Sequence, residues 1–217
     1  MNKDKIKLTT YYAGFIESNP EEASTWRKQV DEELSHPDLQ SYDPVQRESQ
    51  KTGKPAGKHV EYVVGLKKSG RWDQFISEMN KIWLGNIQPN YDLIEIFKLL
   101  RYRKVIDGNE KYEMDTWADY EAVIRSDFII AYMRKDVQTV GTIIEIFLAM
   151  LFKIPVYLML DAPKTETNST LLMMVLYSGG EIFYNLKDCT RFIKSKYKLN
   201  TLQDVEKLKK KEEEKCK

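Results

Sequence analysis

Apolar residues recur along this chain in two rhythms. "KIKLTTYYAGF", residues 5–15, mixes β-branched and aromatic residues and predicts a first strand ending at Gly14. "NPEEASTWRKQVDEEL" follows with helical spacing: Trp26, Val30 and Leu34 lie four apart on one face. Asn19 is placed to cap that helix, Pro20 to open it, and Glu21 and Glu22 to occupy its first turn. Strand followed by helix is the opening of an α/β unit. Pro44, Gly53, Pro55, Gly57 and Gly65 then punctuate residues 41–70, and the polar stretch "QRESQKTGKPAGKH" predicts a loop or flap. "RWDQFISEMNKIWLGNI" and "YDLIEIFKLLRYRKVI" return to helical spacing. These two helices read as an insertion spanning about residues 45–110, with Trp72 and Trp83 in its core.

"EMDTWADYEAVIRS" predicts another helix. Two continuous apolar runs, "DFIIAYM" and "IPVYLML", predict buried strands of a parallel sheet. Between them, a small-residue turn from Thr139 to Gly141 leads into a helix reaching Lys153. "TLLMMVLYS" and "EIFYN" are strand candidates around Gly179 and Gly180, the first with a helical alternative. "KDCTRFIKSKYKL" predicts a closing helix, and "TLQDVEKLKKKEEEKCK" a charged helical tail over residues 201–217. The pattern is that of one α/β domain over residues 1–200, Rossmann- or flavodoxin-like, with about five mostly parallel strands and a helical insertion.

Composition narrows the function classes. The 217 residues include 34 basic and 33 acidic side chains, a net charge of +1 that argues against a polymeric nucleic acid as partner. Cys189 and Cys216 form neither a disulfide framework nor a metal motif, and His36 and His59 are too few for a multi-histidine metal site. The longest apolar run, "IIEIFLAMLF", is too short to cross a bilayer, and it carries a carboxylate. A cytoplasmic protein with no membrane partner is expected, and the reading calls for no metal or organic cofactor.

That carboxylate, Glu145, is the residue the pattern does not absorb. It sits one turn into an apolar helix between Ile143, Ile144, Ile146 and Phe147. Such a group must be paired, solvated through a cleft, or used in chemistry. In open parallel sheets ligands bind beyond the carboxyl ends of strands. Two such ends carry small residues here, "YYAGF" and "TVGT", and the second opens a helix whose amides favour an anion. Asp119, eight residues before Asp127, reaches the same rim. Two carboxylates at one cleft suit glycosidic chemistry, one attacking the anomeric carbon while the other manages a proton.

Three segments then carry a resemblance: "YYAGFI" at residues 11–16, "DYEAVIRSD" at 119–127 followed by "FIIAYM", and "GTIIE" at 141–145 followed by "IFLAMLFKIPVYLM". Together they resemble the nucleoside 2-deoxyribosyltransferases and the related nucleoside 5′-monophosphate N-glycosidases. The resemblance covers the sheet core but neither residues 41–110 nor the C-terminal third. It implies that Glu145 is the nucleophile, that Asp119 contacts base or ribose and assists proton transfer, and that Tyr11 positions the nucleophile. It further implies that Ala13, Gly14, Ile16, Thr139, Gly141 and Thr142 bind a small-molecule nucleoside or nucleotide, in a homodimer or larger homo-oligomer. Two positions depart from the pattern. Ile146 stands where the family often has a small residue. Thr139 stands where the transferases tend to carry an acid and the monophosphate hydrolases a small hydroxyl residue, which leans toward a nucleotide; capping of the Glu145 helix is the competing role for this threonine. A NAD-type glycohydrolase and a non-catalytic nucleotide-sensing module remain as alternatives.

Overall fold

The computed structural model describes residues 8–16, 19–52, 58–85, 92–107, 117–137 and 139–199. Its centre is a parallel sheet of five strands: β1 (Leu8–Gly14), β2 (Leu39–Tyr42), β3 (Phe128–Met133), β4 (Val156–Leu160) and β5 (Glu181–Phe183). The strand order is β2-β1-β3-β4-β5, the flavodoxin-like arrangement. Alternation along each strand divides the core in two. Tyr12, Phe128, Ile130, Tyr157 and Met159 meet α1 (Pro20–Leu34) and α9 (Leu186–Tyr197) on one face. Tyr11, Ala13, Ile129, Ala131 and Leu158 meet α6 (Asp119–Arg125), α7 (Val140–Leu151) and α8 (Ser169–Tyr177) on the other. Helices on both faces explain why β3 and β4 read as unbroken apolar runs. Asp127, just before β3, accepts from the Thr9 amide at 2.7 Å and so ties the start of β3 to β1.

The first helix begins as its sequence specifies: the Asn19 side chain accepts from the Glu22 amide at 3.1 Å. Elsewhere the structure corrects the sequence expectation. Residues 39–42 form β2, unmarked in sequence because three of the four are only partly buried and two are polar. Of the stretch expected as a loop or flap, residues 53–57 lie outside the described residues, while 46–52 lie in α2 (Pro44–Thr52) and 58–59 in α3 (Lys58–Lys68). Their inward side carries Val45, Val63 and Leu66, but also buried Glu48 and His59, which mask the helical period. "TLLMMVLYS" lies in α8, not in a strand, and Asn168 caps it by accepting from the amides of Thr170 and Leu171. Of the helix expected over 113–126, residues 113–116 lie outside the described residues, and α6 begins at Asp119 with Ala118 extended. Trp72, expected in the core, is 56% exposed on α4 (Trp72–Trp83). With α5 (Leu93–Asp107), helices α2–α5 fill the crossover between β2 and α6, where the insertion was expected. The charged tail over 201–217 lies outside the described residues. Among the described residues no helix is long and apolar enough to cross a membrane.

Candidate active site

The strand order reverses between β1 and β3, and at such a switch point the flanking connections diverge to leave a crevice. A cavity of about 530 Å³ lies there. Tyr11, Gly14 and Ile16 reach it from β1 and its loop, Asp119 from α6, and Thr139, Gly141, Thr142 and Glu145 from α7. Of the residues the sequence singled out, Ala13 alone is absent from the cavity lining; it is packed in the sheet core.

Two tyrosine–carboxylate pairs stand side by side. Parallel register sets Tyr11 of β1 opposite Tyr42 of β2, and their rings stack at 5.5 Å between centroids. The Tyr11 hydroxyl donates to Glu145 Oε1 at 2.6 Å. The Tyr42 hydroxyl lies 3.1 Å from Asp119 Oδ1 and 2.9 Å from the Trp117 carbonyl oxygen. All four side chains are buried, so the strand ladder fixes both carboxylates through their tyrosines.

Burial pushes the Glu145 carboxyl up to about 8. The Tyr11 hydrogen bond and the Arg27 charge pull it down, while nearby Asp119 pushes it up. Tyr11 is raised well above the ordinary tyrosine range by burial, then by Asp119 and Glu145. It therefore stays a hydroxyl donor. Arg27 is fully buried on α1. Its guanidinium donates to the carbonyl oxygens of Gly14, Phe15 and Ala23 at 3.1, 3.3 and 2.8 Å. Its Nε pairs with Asp43 at 3.3 Å, and the group lies over the Trp26 ring. Burial lowers the Arg27 pKa, partly offset by Asp43. Arg27 thus clamps the loop after β1 and sets a positive charge behind Glu145.

The start of α7 lies at the cavity. Thr139 precedes the helix, yet its side chain makes no capping bond, so the capping role is not realised. Its Oγ1 is buried with no hydrogen-bond partner among the described residues. The first amides of a helix have no intrahelical acceptor and carry the positive end of its dipole, and Thr139, Val140, Gly141 and Thr142 at the start of α7 all line the cavity. Gly141 is required by close approach, since a Cβ there would stand 2.9 Å from the Trp83 indole. Gly14 is likewise held against Trp26, at 2.7 Å from a virtual Cβ. Ile146, next to Glu145 in the chain, is fully buried.

Sequence reasoning missed three contributors. Arg27 carries a legible signal: Ala23, Arg27, Val30 and Leu34 share the buried face of α1. Tyr42 lies in the unrecognised β2. Glu48 lines the cavity from α2 and binds His59 of α3, in the stretch taken for a loop. Among the described residues no cluster of three or more His, Cys, Asp or Glu side chains is arranged to hold a metal ion. Comparison of the whole sequence with known protein families and with curated proteins found no family model that matches and no curated protein that matches.

Proposed function

We propose that this protein cleaves, or transfers across, the N-glycosidic bond of a nucleoside 5′-monophosphate. The observation that carries this reading is the buried Glu145 carboxyl, bonded to Tyr11 at 2.6 Å in the same cavity as Asp119. In the proposed reaction a Glu145 oxygen attacks C1′ and forms a glycosyl ester. The electron pair of the breaking C1′–N bond passes to the base, which Asp119 protonates. Water, or a second base, then attacks C1′ and releases Glu145, with Asp119 taking up the incoming proton. The step starts from ionised Glu145 and protonated Asp119, so turnover is expected to rise as Glu145 loses its proton at about 8, where burial sets its pKa, and to fall where Asp119 loses its own.

The unpartnered Thr139 hydroxyl and the α7 amides support a phosphate on the substrate, through charge-assisted hydrogen bonds. The test is kcat/KM for base release from matched nucleosides and 5′-monophosphates, followed by chromatography. Monophosphates are expected to be better by about tenfold or more, roughly 1.4 kcal/mol. Thr139→Asp should narrow or reverse the preference, because it sets like charge beside the phosphate. Equal values on the parent protein would return the free-nucleoside transferase to first place, and no base release from any of them would refute the reading. A second copy of the chain is proposed to cover the outer face of α7, where Val140, Ile143, Phe147 and Leu151 are exposed.

A further inference from the structure

The insertion gives the cavity an apolar wall, and residue spacing explains how. Val60, Val63 and Lys67 of α3 stand at i, i+3 and i+7, and Met79, Ile82 and Trp83 of α4 at i, i+3 and i+4, so each helix turns one face to the cavity. Val60, Met79, Ile82 and Trp83 keep part of their surface exposed there. Apolar surface left wet in a cavity is stabilised when an apolar ligand covers it. Trp83 is also braced from outside the insertion. Its ring meets Tyr120 of α6 in a T-shaped contact, 4.9 Å between centroids and 75° between planes. Tyr120 meets Phe97 of α5 in the same manner at 6.2 Å. The indole also rests on Gly141, where a Cβ would stand 2.9 Å from it. An aromatic chain from α5 through α6 to α4 thus holds the indole beside the first turn of the Glu145 helix.

We propose that Trp83 is the platform on which the leaving base stacks, and that it selects purine over pyrimidine nucleotides without distinguishing one purine from another. This rests on the N-glycosidic reading above. Every base has a π-face, and stacking grows with the area of that face, so it favours two fused rings over one and ignores the donors and acceptors at the edge. Reading an edge takes polar groups in fixed positions. Among the described insertion residues on the lining, the polar ones are Glu48 and Lys67. Glu48 is buried and bonded by His59 Nδ1 at 2.6 Å, and His59 Nε2 lies 3.3 Å from Glu78, so this group is taken up in joining α2, α3 and α4. Lys67 is exposed, and a point charge on a flexible stem imposes no edge pattern. Because the indole touches Gly141, the base platform adjoins the start of α7, where the phosphate is proposed to sit. The two ends of one nucleotide are thereby set against neighbouring residues.

The test is equilibrium binding by calorimetry to the full chain carrying Glu145→Gln, so that no nucleotide is consumed. The probes are the adenosine, guanosine, inosine, cytidine and uridine 5′-monophosphates, each with ribose and with deoxyribose. The three purine forms are expected to bind within about threefold of one another and at least about tenfold more tightly than the two pyrimidine forms; tenfold is roughly 1.4 kcal/mol, inside the range of one base–aromatic stack. Adding Trp83→Leu should cut the purine-to-pyrimidine ratio to about threefold or less, and Trp83→Phe, with a smaller face, should leave it in between. Gly141→Ala should also cut the ratio, because the added methyl displaces the indole; the ratio is the readout because the phosphate is common to all probes. Equal binding of purines and pyrimidines before any change at Trp83, or a spread above about tenfold among the purines, overturns the proposal. A Trp83→Leu or Trp83→Phe variant that weakens all five alike also overturns it, because that marks a structural role for the indole. Binding and turnover separate the two claims. A purine preference without base release from any nucleotide by the parent protein refutes cleavage and keeps the Trp83 assignment; base release without a preference does the reverse.

Discussion

The cavity has two walls built in different ways. On the sheet side, Tyr11, Tyr42, Asp119 and Glu145 sit on strands and on helices packed directly against them, and each carboxylate is held by a tyrosine hydroxyl. On the insertion side the lining is apolar, and its buried carboxyl group, Glu48, is held by an imidazole that bridges neighbouring helices. The first wall is fixed by a strand ladder, which tolerates little displacement. The second depends on how α2, α3 and α4 pack on one another. The difference teaches where each property is expected to reside: bond cleavage with the sheet, choice of base with the insertion. Substitutions on the sheet wall should lower turnover on every substrate, whereas those on the insertion wall should change which substrate is used.

The largest effect is expected at Glu145. Glu145→Gln keeps the shape but removes the proposed nucleophile, and base release should fall by about 10³-fold or more on every substrate, several kcal/mol of transition-state stabilisation. Base release by the folded variant at the parent rate would break the division between the walls. Asp119→Asn should cost about 10²-fold, at the lower end of general acid catalysis, and change the shape of the pH–rate curve. An unchanged curve with unchanged turnover would remove Asp119 from proton transfer.

Tyr11→Phe sharpens the comparison by touching only the setting of Glu145. The Tyr11 hydrogen bond lowers the Glu145 pKa against the upward push of burial. Without it the pKa rises further, so the acidic limb of the pH–rate profile should move to higher pH. Turnover near neutrality should drop about tenfold, and raising the pH should recover part of it. A profile that stays in place while turnover falls would assign Tyr11 to substrate contact alone.

A last effect concerns stability and leaves turnover aside. Folding raises the Glu145 pKa from 4.5 to about 8. The native state therefore holds this proton more tightly than the unfolded chain does. The stabilisation is complete below about pH 4.5 and is lost as pH rises through about 8. Glu145→Gln, which cannot ionise, should unfold at higher denaturant than the parent at pH 8, by on the order of a few kcal/mol, and the gap should close toward pH 5. Denaturant titrations at the two pH values measure it. A variant less stable than the parent at pH 8 would mean that the carboxylate is better satisfied than its surroundings indicate.

The same contrast governs what could be read from the sequence. β3 and β4 were legible as apolar runs because a parallel sheet covered on both faces has one dominant constraint. Glu145 was legible because it interrupts such a run, Thr139 and Gly141 because they form the small-residue turn that opens its helix after a strand, and Asp119 by its spacing of eight residues before Asp127. The α2–α3 segment was not legible. Its inward face includes Glu48 and His59, which satisfy one another at 2.6 Å, and a mutually paired polar couple cannot be told from solvated residues without the pairing. Tyr42 was hidden for a related reason: β2 owes its place to its pairing with β1, and its own four residues carry little apolar signal. Arg27 was hidden by its charge, although its spacing from Val30 and Leu34 matched the buried face of α1.

The central claim is that Glu145 bonds to C1′. Its most direct measurement is protein mass spectrometry after acid quench during reaction with a 2′-fluorinated nucleoside 5′-monophosphate, since the fluorine destabilises the oxocarbenium-like transition state through which the sugar must leave. The account predicts a mass gain of one fluorosugar phosphate, localised to Glu145, together with one equivalent of free base, and neither in Glu145→Gln. An adduct on another residue, or an adduct that persists in Glu145→Gln, would contradict it.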